Sequence, residues 1–191
     1  MRDLSDYPIT MKWPAAHPDK IQLYSLPTPN GVKISIMLEE TGLPYEPHLV
    51  RFENNGQLSP EFVSLNPNNK IPAIIDPRGP GGKPLPLWES GAILLYLADK
   101  SRSLILEDAP GRYETIQWLM FQVGGVGPMF GQVGSTNSPA RNTRTSAPAT
   151  VMWRKQNVCW ASSIDGCRSV RGSWAMPTRS PISPSFRGST Y

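Results

Sequence analysis

The 191-residue chain is 39% hydrophobic and 18% charged, enough for one ordinary domain or for a small one plus part of another. Its formal charge of +4 suggests an acidic partner, but residues 1–134 carry 11 Lys+Arg against 14 Asp+Glu, and residues 135–191 carry 8 against 1. Both cysteines, Cys159 and Cys167, fall in the later stretch, which excludes a disulfide scaffold, a cysteine metal site or a protein-borne Cys-x-x-Cys redox centre in the first part.

Residues 1–20 read as an N-terminal extension. They contain no apolar core of a secretion signal, and the longest strongly apolar run, Ala92 to Ala98, is far too short to span a bilayer. The expectation is a cytoplasmic protein with no membrane partner. Ile21 to Tyr24 reads as a strand, and Thr28-Pro29-Asn30-Gly31 as a turn in which Asn30 caps a helix from Val32 to Glu40. Gly42 ends that helix and Pro44 prevents its restart. Tyr45 to Phe52 alternates enough for a second strand. Ser59-Pro60-Glu61-Phe62 opens a short helix, with Pro in its first turn, and Asn66 to Asn69 is loop.

Pro72 to Asp76 is a strand of the buried type, Arg78 to Lys83 a Gly/Pro loop, and Leu85 to Trp88 the returning strand. Ser90 is expected to cap a helix with Ile93, Leu94 and Leu97 on one face. A linker through Pro110 precedes a helix from Tyr113 to Val123. The fold class is α/β, in the order β-α-β-α-β-β-α. A parallel β-α-β pair followed by an antiparallel hairpin and a helix is the thioredoxin-like arrangement. It occupies residues 21–101, and residues 108–134 begin a helical region.

Residues 135–191 differ in kind. Residues 1–134 hold 16 Leu, and the last stretch holds none, with 11 Ser, 6 Thr and scattered Arg instead. No apolar periodicity runs through it, so by composition it is an unstructured tail.

Three segments together carry a resemblance: PTPNGVKISIMLEETGLPYE (27–46), LSPEFVSLNPNNKIPAIID (58–76) and LWESGAILLYLADKS (87–101). In this order and spacing they resemble the N-terminal domain of glutathione S-transferases. The Thr-Pro-Asn-Gly turn, the Asn-Asn-Lys-Ile-Pro-Ala-Ile run and QWLMFQVGGVGPMFGQ (117–132) resemble the bacterial nu-class branch, described as glutathione-dependent disulfide-bond oxidoreductases. The resemblance implies a thioredoxin-like domain followed by an all-helical domain, glutathione as cosubstrate, and a homodimer.

It also implies a site. Ser90, at a helix N-terminus, takes the γ-glutamyl carboxylate, and Glu89 beside it supplies charge for the ammonium. Ile71 precedes Pro72, which the family holds in cis, and its backbone faces the ligand as an added strand. Lys70 offers charge and Gln57 a hydrogen bond to the glycyl end. Thr28 and Asn30 stabilise the glutathione thiolate at the mouth of the first helix. Other branches use a Tyr or Ser after the first strand, for which Tyr24 and Ser25 are the nearest residues. Each residue also has an ordinary reading: Ser90 and Asn30 as caps, Thr28 as a turn former, Gln57 and Lys70 as solvated loop residues. His17 and His48 are isolated, and neither reads as a ligand or base.

The resembling family continues after Gln132 with helices, and this sequence does not. Restoring one T before the Ser135 codon turns STNSPAR into FHKFAGK, and single-codon Met and Trp positions then give family-like residues. Residues 135–191 are therefore read as a frameshifted tail, and the chain as written is expected to be poorly soluble and poorly active. Three functions follow. The first is a glutathione-dependent disulfide reductase or transferase. The second is a non-catalytic glutathione-binding or protein-interaction module. The third takes the tail at face value, as a nucleic-acid arm around Trp153, Arg154, Lys155 and Trp160; off-frame translation is favoured over it, so no nucleic-acid partner is expected.

Overall fold

The computed structural model describes residues 3–136, with side chains through residue 132. The chain divides into two compact units, residues 1–121 and 122–191. The shifted-frame reading and the nucleic-acid arm lie outside the described residues, except that the last described helix ends at Thr136, just past the expected boundary at residue 134.

In the first unit the elements run α1 (Ile9–Lys12), β1 (Ile21–Ser25), α2 (Gly31–Thr41), β2 (Tyr45–Leu49), α3 (Pro60–Leu65), β3 (Ala73–Asp76), β4 (Leu85–Trp88), α4 (Ser90–Ser101) and α5 (Ala109–Phe121). The sheet order is β2-β1-β3-β4. β1 and β2 are parallel with Ile21 opposite Tyr45, whereas β3 runs antiparallel to both β1 and β4. This is the thioredoxin-like arrangement expected from the element order. Both outer strands carry a proline, Pro47 in β2 and Pro86 in β4.

Strand alternation sends side chains to two cores. On one face Ile21, Leu23 and Ile74 pack with Ile34, Met37 and Leu38 of α2 and with Ile93 and Leu97 of α4. On the other, Tyr24, Ala73 and Ile75 pack with Val50 and with Phe62 and Leu65 of α3. Leu4 and Ile9 belong to this second core, and Ile9 is fully buried. Residues 3–20 are thus a strap under the sheet rather than an appendage. Trp13 meets Tyr24 and Phe62 edge-on, and its indole N–H donates to the Leu49 carbonyl at 3.2 Å. The Glu46 carboxylate accepts the backbone N–H groups of Ala16 and His17 at 2.9 and 2.7 Å.

Local chemistry explains most boundaries. Gly42, at φ +66°, closes α2 in the left-handed conformation that glycine adopts without a Cβ clash. Ser59 caps α3 by accepting the Phe62 N–H at 3.3 Å, and Pro60 takes the first turn. β2 stops at Leu49, short of the expected Phe52. Val50 N–H closes the ladder on the Ser25 carbonyl, and the chain then turns through Asn55, at φ +50°. α5 begins at Ala109, earlier than the expected Tyr113. Asp108 caps it, accepting the Gly111 N–H at 2.8 Å, and Pro110 sits in the first turn, where a missing N–H costs nothing.

The second unit opens with a π-helical turn at Gln122–Val126, followed by α6 (Gly127–Thr136). From Ala109 the described residues run as α5, a π-helical segment and α6 without a break.

Candidate functional site

The site is assembled where β1 and β4 lead into α2 and α4 and where the loop before β3 enters the sheet. β1 leaves the sheet at Ser25 and turns into α2. The Thr28 hydroxyl accepts the Gly31 N–H at 3.2 Å, and its carbonyl takes the Val32 N–H at 3.0 Å. Asn30 already has helical angles, φ −85° and ψ −35°, and its side chain makes no capping bond. This corrects the expectation that Asn30 caps α2: a residue inside the first turn cannot swing its side chain back to the free N–H groups, and Thr28 takes that place. The Asn30 carboxamide is exposed instead. Gly31 is required here, because a Cβ would collide with the Leu26 carbonyl oxygen and the Ser25 hydroxyl.

Ser90 is likewise not a cap. Glu89 stands at the cap position with φ +70° and accepts the Ile93 N–H through its carbonyl. Ser90 is the first helical residue and is buried. It stands at the start of α4, where free N–H groups gather partial positive charge. Between these two helix starts lies the loop before β3, which ends in the cis peptide Ile71–Pro72.

Six of the eight expected residues line one cavity of about 50 Å³: Asn30, Lys70, Ile71, Pro72, Glu89 and Ser90. Asn66, read from the sequence only as loop, completes the lining. The signal that could have marked it is a helix-ending Asn followed by Pro, directly upstream of the other lining residues. Thr28 and Gln57 do not line the cavity. Thr28 holds the turn. Gln57 lies in the short 3-10 turn Gly56–Leu58, and its Oε1 is buried with no hydrogen-bond partner among the described residues.

The alternative thiol donors are placed elsewhere. Tyr24 is fully buried with its hydroxyl unpartnered among the described residues, and its ring stacks on His48 with centroids 4.7 Å apart. Burial, and secondarily the charge of Glu46, pushes its phenol well above the ordinary tyrosine range. Ser25 and His48 face a separate apolar groove of about 320 Å³ between β2 and α2.

Chemically the cavity joins one cation, one carboxylate, two helix N-termini and a stretch of backbone. That set suits a small zwitterionic ligand with more than one carboxylate. Among the described residues no group of three or more His, Cys, Asp or Glu could hold a metal ion. No helix among them is long and apolar enough to cross a membrane.

The model of the glutathione S-transferase N-terminal domain matches residues 19–99. Disulfide-bond oxidoreductase YfcG of Escherichia coli is 51% identical over 124 residues, which is 64% of this chain and 58% of the relative. Disulfide-bond oxidoreductase YghU of the same organism is 46% identical over 121 residues, 60% of this chain and 40% of the relative. The chain therefore spans only about half the length of these curated relatives. A crystal structure of a glutathione transferase from Burkholderia graminis, with two glutathione molecules bound per subunit, superposes with a TM-score of 0.83 at 65% identity. The match covers 86% of this chain and 69% of that one. A glutathione transferase from Pseudomonas putida, with one glutathione disulfide bound per subunit, gives a TM-score of 0.82 at 57% identity, covering 90% of this chain and 74% of that one.

Proposed function

The chain belongs to the glutathione S-transferase family, and on that premise we propose that it binds glutathione in the cavity between α2 and α4 and uses the bound thiolate to reduce disulfides. The observation that carries the reading is the convergence of Lys70, Glu89, Ser90 and the Ile71–Pro72 backbone on one cavity, with Asn30 at its mouth. Glutathione has two carboxylates, one ammonium and one thiol. The γ-glutamyl carboxylate is assigned to Ser90 and the start of α4, the ammonium to Glu89, and the glycyl carboxylate to Lys70; Gln57, outside the cavity lining, is assigned as a further hydrogen-bonding group for the glycyl end. The Ile71 backbone pairs with the peptide.

The thiol then falls at the start of α2. A thiolate there gains from the Asn30 carboxamide, the helix N-terminus and the Thr28 hydroxyl, which keeps its own proton to donate while accepting from Gly31. No cysteine lies in residues 1–134, so the reacting sulfur is the ligand's. The thiolate attacks one sulfur of a disulfide, a mixed disulfide forms, and the other sulfur leaves as thiolate. A second glutathione thiolate attacks the glutathione sulfur of that mixed disulfide. Oxidised glutathione forms, and the remaining substrate thiolate departs and takes a proton from water.

The test is reduction of 2-hydroxyethyl disulfide by glutathione, coupled to glutathione reductase, beside calorimetric binding of glutathione. Turnover that falls in Thr28→Ala and Asn30→Ala, with binding weakened in Ser90→Ala, supports the assignment. Binding without turnover reassigns the chain as a non-catalytic glutathione-binding module. Full activity in all three variants removes the site.

A further inference from the structure

Asn66 is nearly wholly buried, 1% exposed, at the end of α3. Its carboxamide spends both functions on the loop that follows. Nδ2 donates to the Lys70 carbonyl at 2.5 Å, and Oδ1 accepts the Asn68 N–H at 2.9 Å. A backbone carbonyl only accepts and a backbone N–H only donates, so these partners fix which end of the amide is which. The Asn66 carbonyl also takes the Asn69 N–H at 3.0 Å, and Asn69 completes the turn at φ +56°. From Asn68 the chain of contacts continues: its Nδ2 lies 3.5 Å from Glu89 Oε1. One buried amide thus reaches both charged walls of the cavity, Lys70 through a carbonyl and Glu89 through Asn68.

No other common side chain of this size does both jobs. Asp keeps the acceptor but sets a carboxylate against the Lys70 carbonyl, and Ala leaves an N–H and a C=O without partners. We infer that Asn66 is a positioning residue that sets the distance between Lys70 and Glu89, and so the length of zwitterion the cavity accepts. The inference rests on the glutathione reading of the same cavity.

The test is a thermodynamic cycle by calorimetry on the full chain, with glutathione as the probe. In the parent, Lys70→Ala weakens binding by about tenfold, the size of one charge-assisted contact. If Asn66 acts through Lys70, Asn66→Asp alone weakens binding by a similar factor. Adding Lys70→Ala to it then costs less than about twofold more. Two losses that multiply in full overturn the inference and leave Asn66 a loop-stabilising residue. Asn66→Ala, checked by thermal melt, repeats the cycle if the Asp variant does not fold. If neither variant folds, Asn66 serves the fold and the inference is overturned. A parent chain with no affinity for glutathione defeats the underlying reading first, before any variant is made, and takes this inference with it.

Discussion

His48 Nε2 lies 2.7 Å from Gln22 Oε1 in the interior. The Gln22 NH2 group donates to the His17 and Lys20 carbonyls, at 2.9 Å each, so Oε1 must accept and Nε2 must carry the proton. The strap, β1 and β2 are therefore tied through the Gln22 amide and the imidazole stacked on Tyr24.

That arrangement makes the fold acid-sensitive. Burial holds His48 below its ordinary value of 6.5, with the charge of Glu46 opposing in part. A depressed histidine contributes stability that is complete above its unfolded value and is lost as pH falls below it. Burial disfavours the Glu46 charge, but the Ala16 and His17 N–H groups, His48 and Gln22 outweigh this and hold its carboxyl below 4.5. Its contribution is present above that value and is also lost on acidification. Thermal midpoints measured from pH 8 to pH 4 should fall first near pH 6 and again below pH 4.5. His48→Phe should keep the stack, lower stability at pH 8 by about 1–3 kcal/mol for the stranded Gln22 oxygen, and flatten the slope near pH 6.

The strap contributes to the core, so a single cut there is expected to be expensive. Ile9→Ala should destabilise the protein by about 2–5 kcal/mol, read from urea unfolding, despite lying outside the β-α-β-α-β-β-α unit. A loss below about 0.5 kcal/mol would show that the strap merely rests on the sheet.

Thr28 and Asn30 should separate in their effects. Thr28→Ala removes a cap bond and should cost about 0.5–2 kcal/mol of stability as well as turnover. Asn30→Ala removes an exposed side chain without a capping bond, so stability should hold within about 0.5 kcal/mol while turnover falls. Equal destabilisation by both variants would contradict the capping geometry.

Asp76 gives a control far from the cavity. It is 1% exposed, with Lys100 Nζ at 2.7 Å, the Tyr96 hydroxyl at 2.5 Å and the Arg78 N–H at 2.8 Å. Burial, then the bond to Asp76, pushes the Tyr96 phenol well above its ordinary range. Asp76→Ala leaves the Tyr96 hydroxyl and the Lys100 ammonium without their shared acceptor and should cost about 1–3 kcal/mol. Glutathione affinity measured well below the melting temperature should not change. A large affinity loss would show that this cluster shapes the cavity.

The sequence made legible whatever local chemistry decides: the Gly42 stop, the Ser59-Pro60 start, the apolar spacing of α4 and the order of strands and helices along the chain. Six of the eight site residues meet in one cavity because short motifs at element junctions carry them. The rest depended on tertiary contact. Leu4 and Ile9 stand isolated among charged residues and prolines, too sparse for any periodicity to flag them. Asn30 and Ser90 have the composition of caps, but each had already entered its helix, which only backbone angles reveal. Asn66 looks like any polar loop residue until its burial and both partners are seen.

The two edge prolines set how this sheet can meet other chains. Val50 N–H points inward to Ser25, and donors alternate along a strand, so residue 47 stands where an N–H would face outward. Proline there leaves no donor for an incoming strand, and Pro86 thins the donors of the opposite rim in the same way. Stacking of copies rim to rim into a fibril is thereby disfavoured at both edges of the sheet. Precipitates that form through this domain should be amorphous, held by side-chain patches such as Val32, Ile36 and Leu49, and dark to amyloid dyes.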